Sequence, residues 1–132
     1  MDATLSNIPV MCLVSPSGVP GSKGTFDKLE AKLPSLKKRK FYGVLDGTPE
    51  HGTYRACVGI LDGDNPTALG LETWTIPGGK YARAKIADWE KNLDKIGPAF
   101  DELLKQYTLD PTRPTIEFYR SQEELFLFLP VT

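Results

Sequence analysis

Residues 115–132, TIEFYRSQEELFLFLPVT, set one carboxylate among aromatic side chains. Read as extended, residues 115–120 alternate. Thr115, Glu117 and Tyr119 share one face, and Ile116, Phe118 and Arg120 share the other. A carboxyl enclosed by rings has its pKa raised by desolvation unless a donor or a cation compensates. A cationic ligand would compensate, and each aromatic face would add cation–π attraction of about 0.5–2 kcal/mol. Glu117, with Tyr119 beside it, is therefore the first candidate for binding chemistry. Tyr42, Tyr54, Trp74 and Tyr81 also fall in segments that read as strands. Such side chains join an apolar body to a polar tip and suit a pocket that needs both.

The closing run does not alternate. Leu125, Leu127 and Leu129 line one face, and Phe126 and Phe128 the other. A strand apolar on both faces must be covered on both. One set is core and the other can floor the site, so Phe128 joins the candidates. Trp89 fits the helical core stripe described below and reads as structural.

Other chemistry is less well supported. His51, the single histidine, lies in the turn DGTPEHG. It has no G-x-S-x-G partner, so a catalytic role is not expected. One histidine and two separated cysteines predict no metal site and no cofactor. Cys12 and Cys57 fall inside strands and read as reduced, buried small side chains. Lys37-Lys38-Arg39-Lys40 reads as a solvated helix exit. Pro77-Gly78-Gly79 reads as a break that lets one strand cross between halves of the fold.

The composition sets the frame. At 132 residues the chain is long enough for one domain, residues 1–132. A net charge of −1 gives no general attraction to nucleic acid or to an anionic membrane. No apolar run reaches membrane-spanning length, and the start MDATLSNIPVMCLV lacks the form of a signal peptide. A cytoplasmic location is expected.

Elements follow from periodicity. Strands are predicted at residues 7–15, 39–46, 53–61, 71–76 and 80–86, then the terminal pair. A helix is predicted over residues 25–36, capped by Thr25 and ended or kinked by Pro34. A second spans about 89–107, where Trp89, Leu93, Ile96, Phe100, Leu103 and Tyr107 form one stripe. Asp88 is its expected cap, and Pro98 predicts a kink or a helix that starts there. The order is β-α-β-β, a linking strand, and β-α-β-β again. The predicted class is α+β: tandem β-α-β-β modules with antiparallel sheets, helices on one face and a ligand groove between the modules.

TWTIPGGKYARAKI, the helix after it and TIEFYR…ELFLFLPV together resemble the GyrI-like small-molecule-binding family, and HGTYRACVGI resembles its third strand. The resemblance covers about residues 41–131. It implies the tandem module fold and an acidic residue in the pocket, at Glu117. Family members serve as effector-binding domains of multidrug-responsive transcription activators, as stand-alone binders, and in some branches as hydrolases of cyclopropane-bearing compounds. The chain leaves no room for an N-terminal DNA reader, so the resemblance implies a stand-alone member.

Three functions follow as expectations. The first is a binding protein for lipophilic or cationic small molecules, with no direct nucleic-acid or membrane partner. Its ligand-binding residues would be Glu117, Tyr119, Tyr54, Trp74, Tyr81, Tyr42 and Phe128. The second is a hydrolase of cyclopropane-bearing compounds with Glu117 as general base and a Tyr or Trp positioning the electrophile. The third is a module that acts on a protein partner, as some stand-alone members of the family do.

Overall fold

The computed structural model describes residues 2–48 and 50–132, so Pro49 of the DGTPEHG turn lies outside it. The chain forms strands β1 (Asp2–Leu5) and β2 (Ile8–Val14), helix α1 (Ser22–Lys32), strands β3 (Phe41–Asp46) and β4 (Thr53–Gly59), and a short helix α2 (Pro66–Leu69). Strands β5 (Glu72–Ile76) and β6 (Gly79–Ala87), helix α3 (Ile96–Gln106) and strands β7 (Thr115–Tyr119) and β8 (Glu124–Pro130) follow. The fold is α+β, as expected. The two modules share one continuous antiparallel sheet in the order β1-β6-β8-β7-β3-β4-β2-β5. β3 and β7, the equivalent strands of the two halves, pair at the seam with Gly43 opposite Glu117.

The sheet curls, and one face packs on itself. Val10, Cys12, Tyr42, Val44, Cys57, Ile76, Tyr81, Ile116 and Phe128 form a buried cluster there, drawing partly buried residues from both edge strands. The Phe126–Phe128 set therefore belongs to this inner core. The other face carries the helices. Phe26, Leu29 and Leu33 cover Met11, Ala56 and Val58, while Leu103 and Phe100 cover Ala82 and Leu129. Leu125 and Leu127 meet Ile96 and Trp89 on the same face. Both faces of β8 are thus covered, which accounts for its unbroken apolar run.

Several local expectations are revised. β1 is an extra strand that the residues alone did not suggest; it is short and sits at an edge. α1 begins three residues before Thr25, whose hydroxyl donates to the Gly21 carbonyl at 2.9 Å from within the helix and caps nothing. Pro34 forces Leu33 into extended backbone (φ −91°, ψ 135°), so α1 stops at Lys32. Before α3 the chain makes two 3-10 turns, Trp89–Lys91 and Leu93–Lys95, and Pro98 falls in the first turn of the helix, where its missing N–H costs nothing. Asp88 takes left-handed backbone (φ 48°) and its side chain makes no cap.

The β5–β6 link does cross between the halves. Gly78 N–H donates to Asn7 Oδ1 at 2.6 Å, against the β1–β2 link. A Cβ at residue 78 would stand 2.6 Å from the Leu5 carbonyl oxygen, so only glycine allows the two links to cross so closely.

Arg39 departs from the expected solvated basic run. Its guanidinium makes a two-pronged pair with Asp64, at 2.6 and 2.8 Å, and the side chains are 6% and 9% exposed. That pair, helped by the Leu61 N–H, pulls the Asp64 pKa down to about 2. A depressed carboxyl pKa stabilises the fold above its ordinary value of about 3.9 and loses that effect as pH falls through the folded value. Asp64→Asn should therefore cost about 1.5–3 kcal/mol at neutral pH. The gap from the parent should close toward pH 2, as thermal unfolding over a pH series would show. No helix among the described residues is long and apolar enough to cross a membrane.

Candidate functional site

Glu117 lies in β7 on the helix-bearing face, at the seam between modules. Tyr119, two residues along, shares that face. Tyr54 reaches the same point from β4, across β3. Its hydroxyl donates to Glu117 Oε1 at 2.8 Å, and the Tyr119 hydroxyl donates to the same oxygen at 3.2 Å. The bridge from Tyr54 to Glu117 passes directly over Gly43. A Cβ there would collide with the Tyr54 hydroxyl and with Glu117 Oε1. Gly43 is thus the gap that lets the two groups meet.

Burial pushes the Glu117 carboxyl above the usual carboxylate range, and the two tyrosine donors pull partly the other way. No cation among the described residues contributes to this balance. The Tyr54 and Tyr119 hydroxyls are pushed up, first by burial and then by the carboxylate beside them, so they remain donors. The result is a single acid with two fixed donors and no counter-charge.

Aromatic rings enclose this group. Phe26 of α1 meets Tyr119 edge to face at 5.4 Å and Tyr54 at 6.4 Å. Trp89 meets the far side of Tyr119 at 5.0 Å, and its indole N–H donates to the Ser121 carbonyl at 2.9 Å, which fixes the ring. Above them runs a groove of about 820 Å³ between the halves. Phe26, Asp27, Glu30 and Phe41 line it from the first half, and Trp89, Glu90, Leu93 and Tyr119 from the second. Tyr119 lines the groove, and Glu117, bonded to its hydroxyl, does not. Three acidic side chains on the rim, Asp27, Glu30 and Glu90, face Lys23, Arg39 and Arg120 around it.

The structure brings together three of the seven residues expected at the site: Glu117, Tyr119 and Tyr54. The other four sit on the opposite face of the sheet. Tyr42 stacks on Phe118 at 5.0 Å and borders a separate hollow of about 410 Å³ with Lys38 and Lys40. Tyr81 is buried, donates to the Pro77 carbonyl at 2.7 Å and meets Phe128 edge on. Trp74 lies under the Arg55 guanidinium, 4.7 Å from its ring. Phe126 and Phe128 fill the inner core, and the leucine set of β8 faces the helices. Phe26 and Trp89 join the site, although Trp89 fits the helical core stripe. Gly43, an isolated glycine inside FYGV, was the signal that could have marked it.

No protein-family model matches the sequence, and no curated protein matches it. Solved structures share the fold. The integron cassette protein VCH_CASS2 from the mobile metagenome of Vibrio cholerae is 16% identical with a TM-score of 0.73, covering 100% of this chain and 95% of that one. SAV2435, solved bound to tetraphenylphosphonium, is 12% identical with a TM-score of 0.66, covering 100% and 93%. A hydrolase from Listeria innocua is 8% identical with a TM-score of 0.62, covering 100% and 91%. At these identities the likeness is one of fold, and the fold agrees with the tandem-module architecture that the GyrI-like resemblance implies.

Proposed function

We propose that this chain is a GyrI-like binding protein that holds lipophilic cations in the groove between α1 and the α3 module, with Glu117 as counter-charge. The observation that carries the reading is the carboxyl itself: enclosed by rings, given two donors, and left without a cation. Glu117 is half-buried, a charge withdrawn from water is normally paired, and a bound cation would complete this site. Tyr119 and Phe26 line the groove and Glu117 does not, so a ligand that reaches the carboxyl would turn these rings aside and then stack on them and on Trp89. That the neighbour SAV2435 was solved with tetraphenylphosphonium supports the ligand class.

The reading predicts a signed pH dependence. A cation favours the ionised carboxyl. Affinity should therefore rise with pH through the raised Glu117 pKa and level off above it, and binding below the plateau should release a proton to the buffer. The groups that face this carboxyl are the Tyr54 and Tyr119 hydroxyls, which stay protonated throughout. Titration calorimetry of tetraphenylphosphonium at several pH values, with neutral and anionic aromatic compounds as comparisons, tests it. Equal affinity for all three classes, or no pH dependence for the cation, would defeat the reading.

A second reading is hydrolysis of cyclopropane-bearing compounds with Glu117 as general base. It is favoured by the raised pKa, which suits a base, and by a neighbour described as a hydrolase. Mass spectrometry of a cyclopropane-bearing substrate incubated with the protein separates the two. Recovery of unchanged compound at the buffer rate removes the enzymatic reading and leaves the binding one.

A further inference from the structure

On the far face of the sheet from Glu117, Cys12 of β2 and Cys57 of β4 are directly opposite partners. Both are free thiols with no exposed surface. The ladder fixes which kind of pair they form. Ser15 N–H bonds the Tyr54 carbonyl and Ile60 N–H bonds the Pro9 carbonyl, so residues 15 and 9 occupy hydrogen-bonded pairs. Position 12 is three steps from each and falls in a non-hydrogen-bonded pair. In such pairs the Cα atoms approach to about 4.5 Å and the side chains lie close, within the span of about 4.4–6.8 Å that a disulfide bridges.

Arg55 shares this face, two residues before Cys57. Its Cζ sits 4.7 Å above the Trp74 ring, and its Nε and Nη1 are buried with no hydrogen-bond partner among the described residues. A buried guanidinium edge with nothing to bind calls for an anion. A thiolate of this pair would supply one, since the Arg55 charge acts on Cys12. The Cys57 thiol and then the Arg55 charge pull the Cys12 pKa down, against burial and against Glu72 opposite it on β5. Cys57 is pushed up by the same pairing.

We infer that Cys12 and Cys57 form a redox-active dithiol that closes to a cross-strand disulfide, with Cys12 the attacking sulfur and Arg55 its counter-charge. With hydrogen peroxide as oxidant the step balances. The Cys12 thiolate attacks the O–O bond and becomes a sulfenic acid, and the departing oxygen takes a proton and leaves as water. The Cys57 sulfur then attacks the sulfenic sulfur, the S–S bond forms, the S–O bond breaks, and a second water leaves with the Cys57 proton. Two thiols lose two electrons to one peroxide. Trp74 packs against the cluster that holds both cysteines and belongs to an edge strand, so lifting that ring would open access.

The test is to treat the folded protein with hydrogen peroxide, block remaining thiols with N-ethylmaleimide in denaturant, and map peptides by mass spectrometry. The expected result is loss of both thiols together and a linked pair of peptides carrying Cys12 and Cys57 within one molecule. Arg55→Leu should slow closure by roughly tenfold through a smaller thiolate fraction, and Trp74→Ala should speed it. In Cys57→Ser, dimedone should label Cys12. Circular dichroism checks that each variant is folded, and the parent result stands without them. Two thiols still open to N-ethylmaleimide, separate sulfinic acids, or a bridge only between molecules would overturn the inference.

Discussion

Glu117→Gln should weaken tetraphenylphosphonium binding by about ten- to a hundredfold and leave neutral aromatic ligands nearly unchanged. Among the described residues the carboxylate is the only charge at the centre of the site, and a charged partner in such surroundings is worth about 1.4–2.8 kcal/mol more than its neutral isostere. The amide still offers an oxygen to the Tyr54 and Tyr119 hydroxyls, so the packing of the site survives. The linkage sign separates this loss from unfolding. A carboxyl whose folded pKa is raised contributes most to stability below its ordinary pKa and loses that contribution as pH rises through the folded value. Removing the charge should leave the Tm at neutral pH equal to or above that of the parent. Calorimetry with thermal unfolding of the same samples checks both halves.

Gly43→Ala should damage both the fold and the site. The backbone at residue 43 lies outside the left-handed region, so alanine meets no conformational penalty and the effect is steric. The new methyl would displace the Tyr54 hydroxyl and Glu117 Oε1 together and would press on Tyr54 Cζ, 3.0 Å away. Overpacking of this kind costs about 1–3 kcal/mol, or a Tm lower by roughly 3–15 °C. Cation affinity should fall at least about tenfold as the carboxyl moves out of its bonds. Adding Tyr54→Phe to Gly43→Ala removes one colliding atom and should recover part of the stability. A double-mutant cycle reads that coupling. Two independent, additive losses would mean that the methyl is accommodated elsewhere.

The site was legible where one strand sufficed and hidden where several had to be aligned. Alternation within TIEFY placed Glu117 and Tyr119 on a common face. Nothing in the residues said that Tyr54 would match that face while Tyr42, Trp74 and Tyr81 would not. Side-chain parity is fixed along a strand, but a one-residue change of register between strands reverses it, and register is set by the whole sheet. Trp89 reads as core because a ring that packs on a sheet and a ring that walls a groove have the same helical spacing. The module order came through because β-α-β-β periodicity is local. The curl of the sheet did not, because it depends on Ile76, Leu5 and Tyr81 meeting from both ends of the strand order. Arg39 looked like one more cation in a basic run, and only the return of the chain at Asp64 makes it a buried pair.

The most direct measurement is the titration of the Glu117 carboxyl carbon by NMR, with Glu117→Gln used to assign the signal, in the absence and presence of saturating tetraphenylphosphonium. The account predicts a pKa above the ordinary carboxyl range in the free protein and a fall when the cation binds, because the ligand supplies the charge that the site lacks. An ordinary pKa that does not move on saturation would show a solvated carboxyl indifferent to the ligand, and would contradict it.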